Sequence, residues 1–339
     1  MRDRGKKVLA VCLAMLLVMA CLPVLHKAAA EGRATFDRGT TVRDVWISLA
    51  GGKNNVKVIR QYPGASMPEG VTARTVSSSG SQVPIYSWFE DGTIYYWSED
   101  PRPRTNADAS FMFYSFSEAE FIDAAPIDTS GTTDMEGMFG DCDSLETLDV
   151  SGFDTTNVRC MYCMFIYCGK LKEIDVSHFN TTNTTSMSDS GYGSLCGMFL
   201  GCSSVKVLDL SSFDMTRTSW TYHTQNMFPG CTSLEKLILG PQNRFNRFTS
   251  LSGSWTHEGD GVTLSGSALT SQYDSKNAFS YSGTWLRNMP EGHYYRTDGS
   301  LGGTNLWEVH TPDDRFKGYC LNLNKFGVAE ELEIGRAHV

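Results

Sequence analysis

Basic charge is scarce in this chain, and the usual signatures of catalysis are missing. Against 38 Asp and Glu stand only 29 Lys and Arg, a formal net charge of −9. No basic stripe runs along any segment, so nucleic acid is not an expected partner: an acidic surface repels phosphate backbones. There is no nucleophile elbow, no metal-binding His pair and no phosphate loop. His178, His223 and His257 are scattered among Ser, Thr and Asp, where some Ser lies near some His by chance. Neither an enzyme nor a bound cofactor or metal is expected.

What the chain has is repetition. Met-Phe occurs at Met112-Phe113, Met138-Phe139, Met164-Phe165, Met198-Phe199 and Met227-Phe228. Ten residues after each Met comes a second apolar marker: Ile122, Leu148, Ile174, Leu208 and Leu237. The copies are spaced 26, 26, 34 and 29 residues apart, so every insertion falls between the second marker and the next Met-Phe. A fixed period that varies in one place predicts a solenoid. In the first half of a copy, apolar residues fall at i, i+3, i+4 and i+7, as in Met135, Met138, Phe139 and Cys142, which predicts a short helix. In the second half Leu145, Leu148, Val150 and Phe153 follow a strand-like alternation at their centre.

The phrase Leu148-Asp149-Val150-Ser151-Gly152-Phe153-Asp154-Thr155-Thr156-Asn157-Val158, closed by Met164-Phe165 and Cys168, resembles the 26-residue leucine-rich repeat of BspA-like bacterial surface proteins, over roughly residues 85 to 240. The predicted fold class is accordingly α/β: a leucine-rich-repeat solenoid with a parallel strand and a short helix per repeat, a β-rich N-terminal cap and a β or irregular C-terminal segment. The resemblance implies a secreted, usually wall-attached bacterial protein built for binding rather than catalysis. Two departures stand out: an extra segment around Thr184 to Leu195, and a last copy with Ile238 where the others have Asp.

At the amino end, Arg2, Arg4, Lys6 and Lys7 precede an apolar run from Val8 to Leu25, and Ala28-Ala29-Ala30 offers a cleavage site. This predicts a signal peptide over residues 1–30, with lipidation of Cys21 or a retained anchor as alternatives. Its removal takes five basic residues and one acidic residue, leaving 24 against 37 and a net charge of −13. Residues 31–110 are expected to form a β-rich N-terminal cap, with a generic β segment that has no capping role as the alternative, and they contain strand-like pieces at Val42 to Leu49 and Asn55 to Ile59. Asp91-Gly92 between aromatic runs predicts a hairpin.

Cys142, Cys168, Cys202 and Cys231 share one repeat position, held by Phe116 in the first copy, and read as core thiols. Cys160, Cys163 and Cys196 lie off that face and are expected to point outward. Cys160 and Cys163 form a CxxC, but no second CxxC or His pair completes a zinc site. In an exported chain a disulfide between neighbouring coils, Cys163 to Cys196, is the expectation. Asp123, Asp149, Asp175 and Asp209 hold one outward strand position, and Ser151, Ser177 and Ser211 the position two residues on. Stacking brings these carboxylates about 5 Å apart, so they need hydrogen bonds or a raised pKa. Either Ser hydroxyls and solvent compensate them, or they form an acidic binding stripe for a basic or cation-bridged partner. Asp128, Asp154, Asn180 and Asp214 form a second column that reads as turn residues.

The repeats span residues 111–240 and a connector spans 241–309, where Ser252-Gly253-Ser254-Trp255 is echoed by Ser282-Gly283-Thr284-Trp285. Over residues 310–332, Phe316-Lys317-Gly318-Tyr319-Cys320-Leu321-Asn322 resembles the aromatic-Cys entry motif of Gram-positive thioester domains, which implies that Cys320 joins a Gln to form an internal thioester. No Gln follows Cys320 here. Residues 333–339 resemble a translated sequencing adapter and are set aside. The expected function is that of a cell-surface adhesin whose repeats engage a host or environmental protein or glycan. Covalent capture through Cys320 and a passive stalk are the alternatives. Attachment to membrane or wall is expected through sequence beyond residue 332.

Overall fold

Two left-handed residues per copy decide the backbone of the repeats. The residue before each Met-Phe (Phe111, Gly137, Cys163, Gly197, Asn226) and the third residue after each Met (Ser115, Asp141, Tyr167, Gly201, Gly230) all have φ between 53° and 84°. A left-handed residue every fourth position stops an α-helix from propagating. The N–H groups then alternate in destination. In the second copy Met138 donates to Met135 O at 3.2 Å and Gly140 to Gly137 O at 3.0 Å, closing local turns. Gly137, Phe139 and Asp141 instead donate to Tyr162, Met164 and Ile166 of the next copy, at 2.8, 2.9 and 2.7 Å. The pattern recurs at every boundary, with Phe113 to Met138 at 2.9 Å, Phe165 to Met198 at 3.0 Å and Phe199 to Met227 at 3.2 Å. Turns therefore lie directly on turns. Phe113, Phe139, Phe165 and Phe199 stack with successive ring centroids 5.1, 5.8 and 5.8 Å apart and planes within 10°.

This computed structural model describes residues 32–184, 193–216, 223–246, 248–273 and 282–288, together with the short pairings of Tyr294–Tyr295 with Leu301–Gly302 and Leu321–Asn322 with Glu330–Glu331. Among the described residues there are two α-helices, α1 (Gly39–Leu49) and α2 (Gly266–Gln272), and both lie outside the copies. The expected leucine-rich-repeat solenoid of one strand and one helix per repeat is thus overturned. Among the described residues, only three short strands fall in the repeats: β5 (Phe121–Ile122), β6 (Val207–Leu210) and β7 (Lys236–Leu239). They belong to two separate five-stranded sheets of mixed direction. The helix-like spacing of Met135, Met138, Phe139 and Cys142 did report burial, since all four are fully buried. It misreported the backbone, because successive four-residue turns bury side chains at nearly the same intervals as a helix.

The first sheet runs β2-β3-β4-β1-β5, with β1 at Val58–Gln61, β2 at Arg74–Thr75, β3 at Tyr86–Glu90 and β4 at Thr93–Trp97. β3 and β4 are joined through Asp91 (φ 45°) and Gly92 (φ 79°), the positive pair that a tight hairpin needs. β1 pairs in parallel with both β4 and β5 and so ties this region to the first copy. Val42 to Leu49, expected as strand, is instead part of α1. Val42, Val45, Trp46 and Leu49 fall on one helical stripe, and Val42 and Trp46 are fully buried. Trp46 lies 5.5 Å from Phe113 and 6.5 Å from Phe116, covering the apolar end of the first copy.

The second sheet runs β6-β7-β10-β8-β9, with β8 at Ser254–His257, β9 at Thr263–Ser265 and β10 at Gly283–Arg287. The two Ser-Gly-x-Trp echoes put Trp255 and Trp285 on adjacent strands, both buried. α2 is capped by Ser265, whose hydroxyl accepts from Ala268 N at 3.1 Å. One hydrophobic cluster runs from Ala34 through the copies to Trp285.

Candidate binding face

Three columns of side chains share the outer side of the strand half of the copies. Phe121, Thr147, Glu173 and Val207 form the first, Asp123, Asp149, Asp175 and Asp209 the second, and Ser151, Ser177 and Ser211 the third. Thr147 and Glu173 are bridged in parallel, as Val207 is with Lys236. The intervening Ile122, Leu148, Ile174 and Leu208 point inward and are buried, the period-2 alternation of a half-buried sheet. Phe121 is 42% exposed and Val207 44%, so an apolar edge borders the carboxylates.

The Asp column is held by local hydrogen bonds. Oδ1 of Asp149 accepts from Ser151 N at 2.9 Å, that of Asp175 from Ser177 N at 3.0 Å and Oγ at 2.6 Å, and that of Asp209 from Ser211 N at 2.9 Å. The Ser hydroxyls and N–H groups hold the Asp149 and Asp175 carboxyls below the usual range, with His178 adding to the effect. Asp123 behaves differently. Burial pushes its carboxyl up, Arg60 opposes that and Asp149 reinforces it. The column is therefore anionic at its exposed members, and the like-charge penalty falls on the half-buried one. Asp123, Asp149, Glu173 and Asp175 converge with Phe121 on one open groove of about 410 Å³.

Asp128, Asp154, Asn180 and Asp214 each accept from the N–H two residues on, at 2.9 to 3.0 Å, which makes them turn residues. Beside them runs a buried Thr ladder that sequence reasoning missed. Thr129 Oγ1 accepts from Asp154 N at 2.8 Å and donates to Asp154 O at 3.1 Å, and Thr155 does the same with Asn180 at 2.7 and 3.1 Å. A second groove of about 390 Å³ opens among Gly131, Thr133, Asn157, Arg159 and Asn183.

The column four residues before each Met also went unread, because its members differ in chemistry: Asp108, Asp134, Cys160, Ser194 and His223. Asp134 and Cys160, with buried Glu136, bring one ligand-type atom each within 4.8 Å of one another. Further along, His223 Nδ1 meets Ser194 Oγ at 3.1 Å, and Ser194 Oγ donates to Thr184 O at 2.8 Å. Burial drives His223 down to about 3, so it is neutral at ordinary pH.

Cys142, Cys168, Cys202 and Cys231 are buried, and each thiol donates to the Met-Phe carbonyl of the preceding copy at 3.0 to 3.1 Å. Cys160, Cys163 and Cys196, expected to point outward, are buried as well. The turn geometry, which folds both sides of the left-handed residues against the next copy, encloses them. Cys163 and Cys196 are free thiols in this structure, and Cys163 N donates to Cys196 O at 2.9 Å. Cys320, the signal segment and residues 333–339 lie outside the described residues. Among the described residues no helix is long and apolar enough to cross a membrane.

A family model described as "Mycoplasma protein of unknown function, DUF285" matches residues 107–238, from just before the first Met-Phe to the last strand of the copies. No curated protein matches the chain, and no solved structure does.

Proposed function

We propose that the chain is a non-enzymatic surface binding protein, an adhesin, that takes a protein or glycan partner bearing cationic groups on its Asp/Ser face. The observation that carries this reading is the groove lined by Asp123, Asp149, Glu173 and Asp175 together with exposed Phe121. Exposed carboxylates kept ionised by their Ser neighbours attract a cation, and the apolar edge adds contact area. The signal-like amino end and the resemblance to BspA-like surface proteins support an exported, cell-surface location.

The test replaces charge without touching the turns. Asn retains the Oδ1 that accepts from Ser N, so D149N/D175N/D209N should fold like the parent. Both proteins are applied to an array of extracellular-matrix proteins and glycans. The expected result is at least one ligand bound by the parent and at least tenfold more weakly by the folded variant, with the difference shrinking as salt rises. Equal binding of every captured ligand by both proteins overturns the face as the binding site.

A further inference from the structure

Four cysteines cap carbonyls of the preceding copy, whereas Cys163 and Cys196 stand in other columns. The equivalents of Cys163 are Phe111, Gly137, Gly197 and Asn226, and those of Cys196 are Ser110, Glu136, Tyr162 and Gln225. Cys163 has φ 53°, a conformation that suits Gly or Asn and is costly for Cys. Its thiol is not needed to pack that position, since Gly serves there in the copies on both sides.

The backbone bond from Cys163 N to Cys196 O places the two residues one layer apart. For neighbouring chains joined in this way the α-carbons are roughly 5 to 6 Å apart, within the span of a disulfide. Cys163 Sγ already leans over the next layer: a Cβ on Gly197 would lie 2.8 Å from it. Gly197 is the direct neighbour of Cys196, so the thiol occupies the space that the missing side chain leaves beside its partner. The pair also brackets the 34-residue interval, the longest between copies. We propose that Cys163 and Cys196 form a disulfide that staples the third copy to the fourth across this interval.

The oxidant is a low-molecular-weight disulfide. One Cys thiolate attacks it, releasing one small thiolate and leaving a mixed disulfide. The second Cys thiolate displaces the other, so that two protein S–H bonds are replaced by one S–S bond and two small thiols carry the electrons away. Burial pushes Cys163 up to about 11 and Cys196 to about 12, which leaves little thiolate in the folded dithiol. Closure therefore belongs to folding, before burial is complete. None of this depends on what the Asp face binds.

The full chain is refolded from its reduced, denatured state in oxidised and reduced glutathione, or in phosphine reductant, then alkylated, digested and weighed. The expected product of oxidative refolding is a Cys163–Cys196 cross-linked peptide two hydrogens lighter than its parts. Loop closure of this length shifts the unfolding equilibrium by up to roughly 500-fold. The companion variant is C163G, which carries the residue that Gly137 and Gly197 show the position accepts. In reductant it should fold and melt at or above the parent temperature, while in oxidant the parent should overtake it. Alkylation of both thiols after oxidative refolding, a Cys160–Cys163 link instead, or an unchanged ranking of parent and C163G in oxidant overturns the staple.

Discussion

At the scale of single residues, the copies are held by small polar groups that bond across layers from within the core. A Cys thiol caps a Phe carbonyl, a Thr hydroxyl bridges the N–H and C=O of the following Asp or Asn, and neither leaves a polar atom unmatched. Within the copies, His223 departs from this. With the Ser194 hydroxyl committed to Thr184 O, the imidazole proton sits on Nδ1 and donates to Ser194, while buried Nε2 has no hydrogen-bond partner. Protonation would add an N–H there with no acceptor, at the cost of burying a charge. The folded-state value of about 3 lies below the ordinary 6.5, so as pH falls through 6.5 the unfolded chain takes up a proton that the folded chain refuses. Stability is complete above that point and falls by up to about 1.4 kcal/mol per pH unit below it. Between pH 6.5 and 5, above the ordinary carboxylate range, urea midpoints of the parent should drop more steeply than those of H223Q. The His223 imidazole signal should also stay untitrated to pH 5 by NMR. Titration of that signal near 6.5 would contradict the buried, neutral assignment.

At the scale of the element, the alternation of local turns with bonds between layers depends on two left-handed positions per copy. Gly137 shows what that costs other residues. Its φ is 57°, and a Cβ there would come within 2.6 Å of the Phe111 ring in the layer before. G137A should lower stability by roughly 1 to 3 kcal/mol in thermal or urea unfolding, through both the left-handed φ and the contact with Phe111. An unchanged G137A would mean that the turns can rearrange. These positions also mark the limit of what the sequence disclosed. The repeat itself, the burial of its Met, Phe and Cys, and the Asp91-Gly92 hairpin were readable, because periodic hydrophobicity and a turn dipeptide carry them directly. Helix and stacked turn share the same apolar spacing, and the deciding signal was a column holding Phe, Gly, Cys, Gly and Asn, which looks like noise until the φ values align it. Val42 to Leu49 was misread because β-branched residues favoured strand over its helical stripe. The Asp face was legible as a column, yet its convergence with Glu173 and exposed Phe121 on a groove was not, since that needs the register between copies.

At the scale of the whole molecule, both ends of the stack are closed by sheets, and Trp46 is where one closure meets the copies. Its Nε1 donates to Ser87 Oγ on β3 at 2.9 Å, and its ring contacts Phe36, Phe113 and Phe116. One side chain thus joins α1, the first sheet and the first copy. A stack whose layers touch only their neighbours can in principle lose one end while keeping the other. Here a single apolar cluster continues from Ala34 to Trp285, and β1 is paired to β5 within the first copy, so loss of the N-terminal region would expose the Phe113 layer to water. The parent should therefore unfold in one transition, with tryptophan fluorescence and far-UV circular dichroism coincident. W46A, which opens a cavity at that junction, should lower the stability of the whole transition by about 3 to 5 kcal/mol without splitting it. Separation of the two signals in W46A, with the circular dichroism transition left at the parent midpoint, would instead show that the N-terminal sheet and the copies are independent folding units.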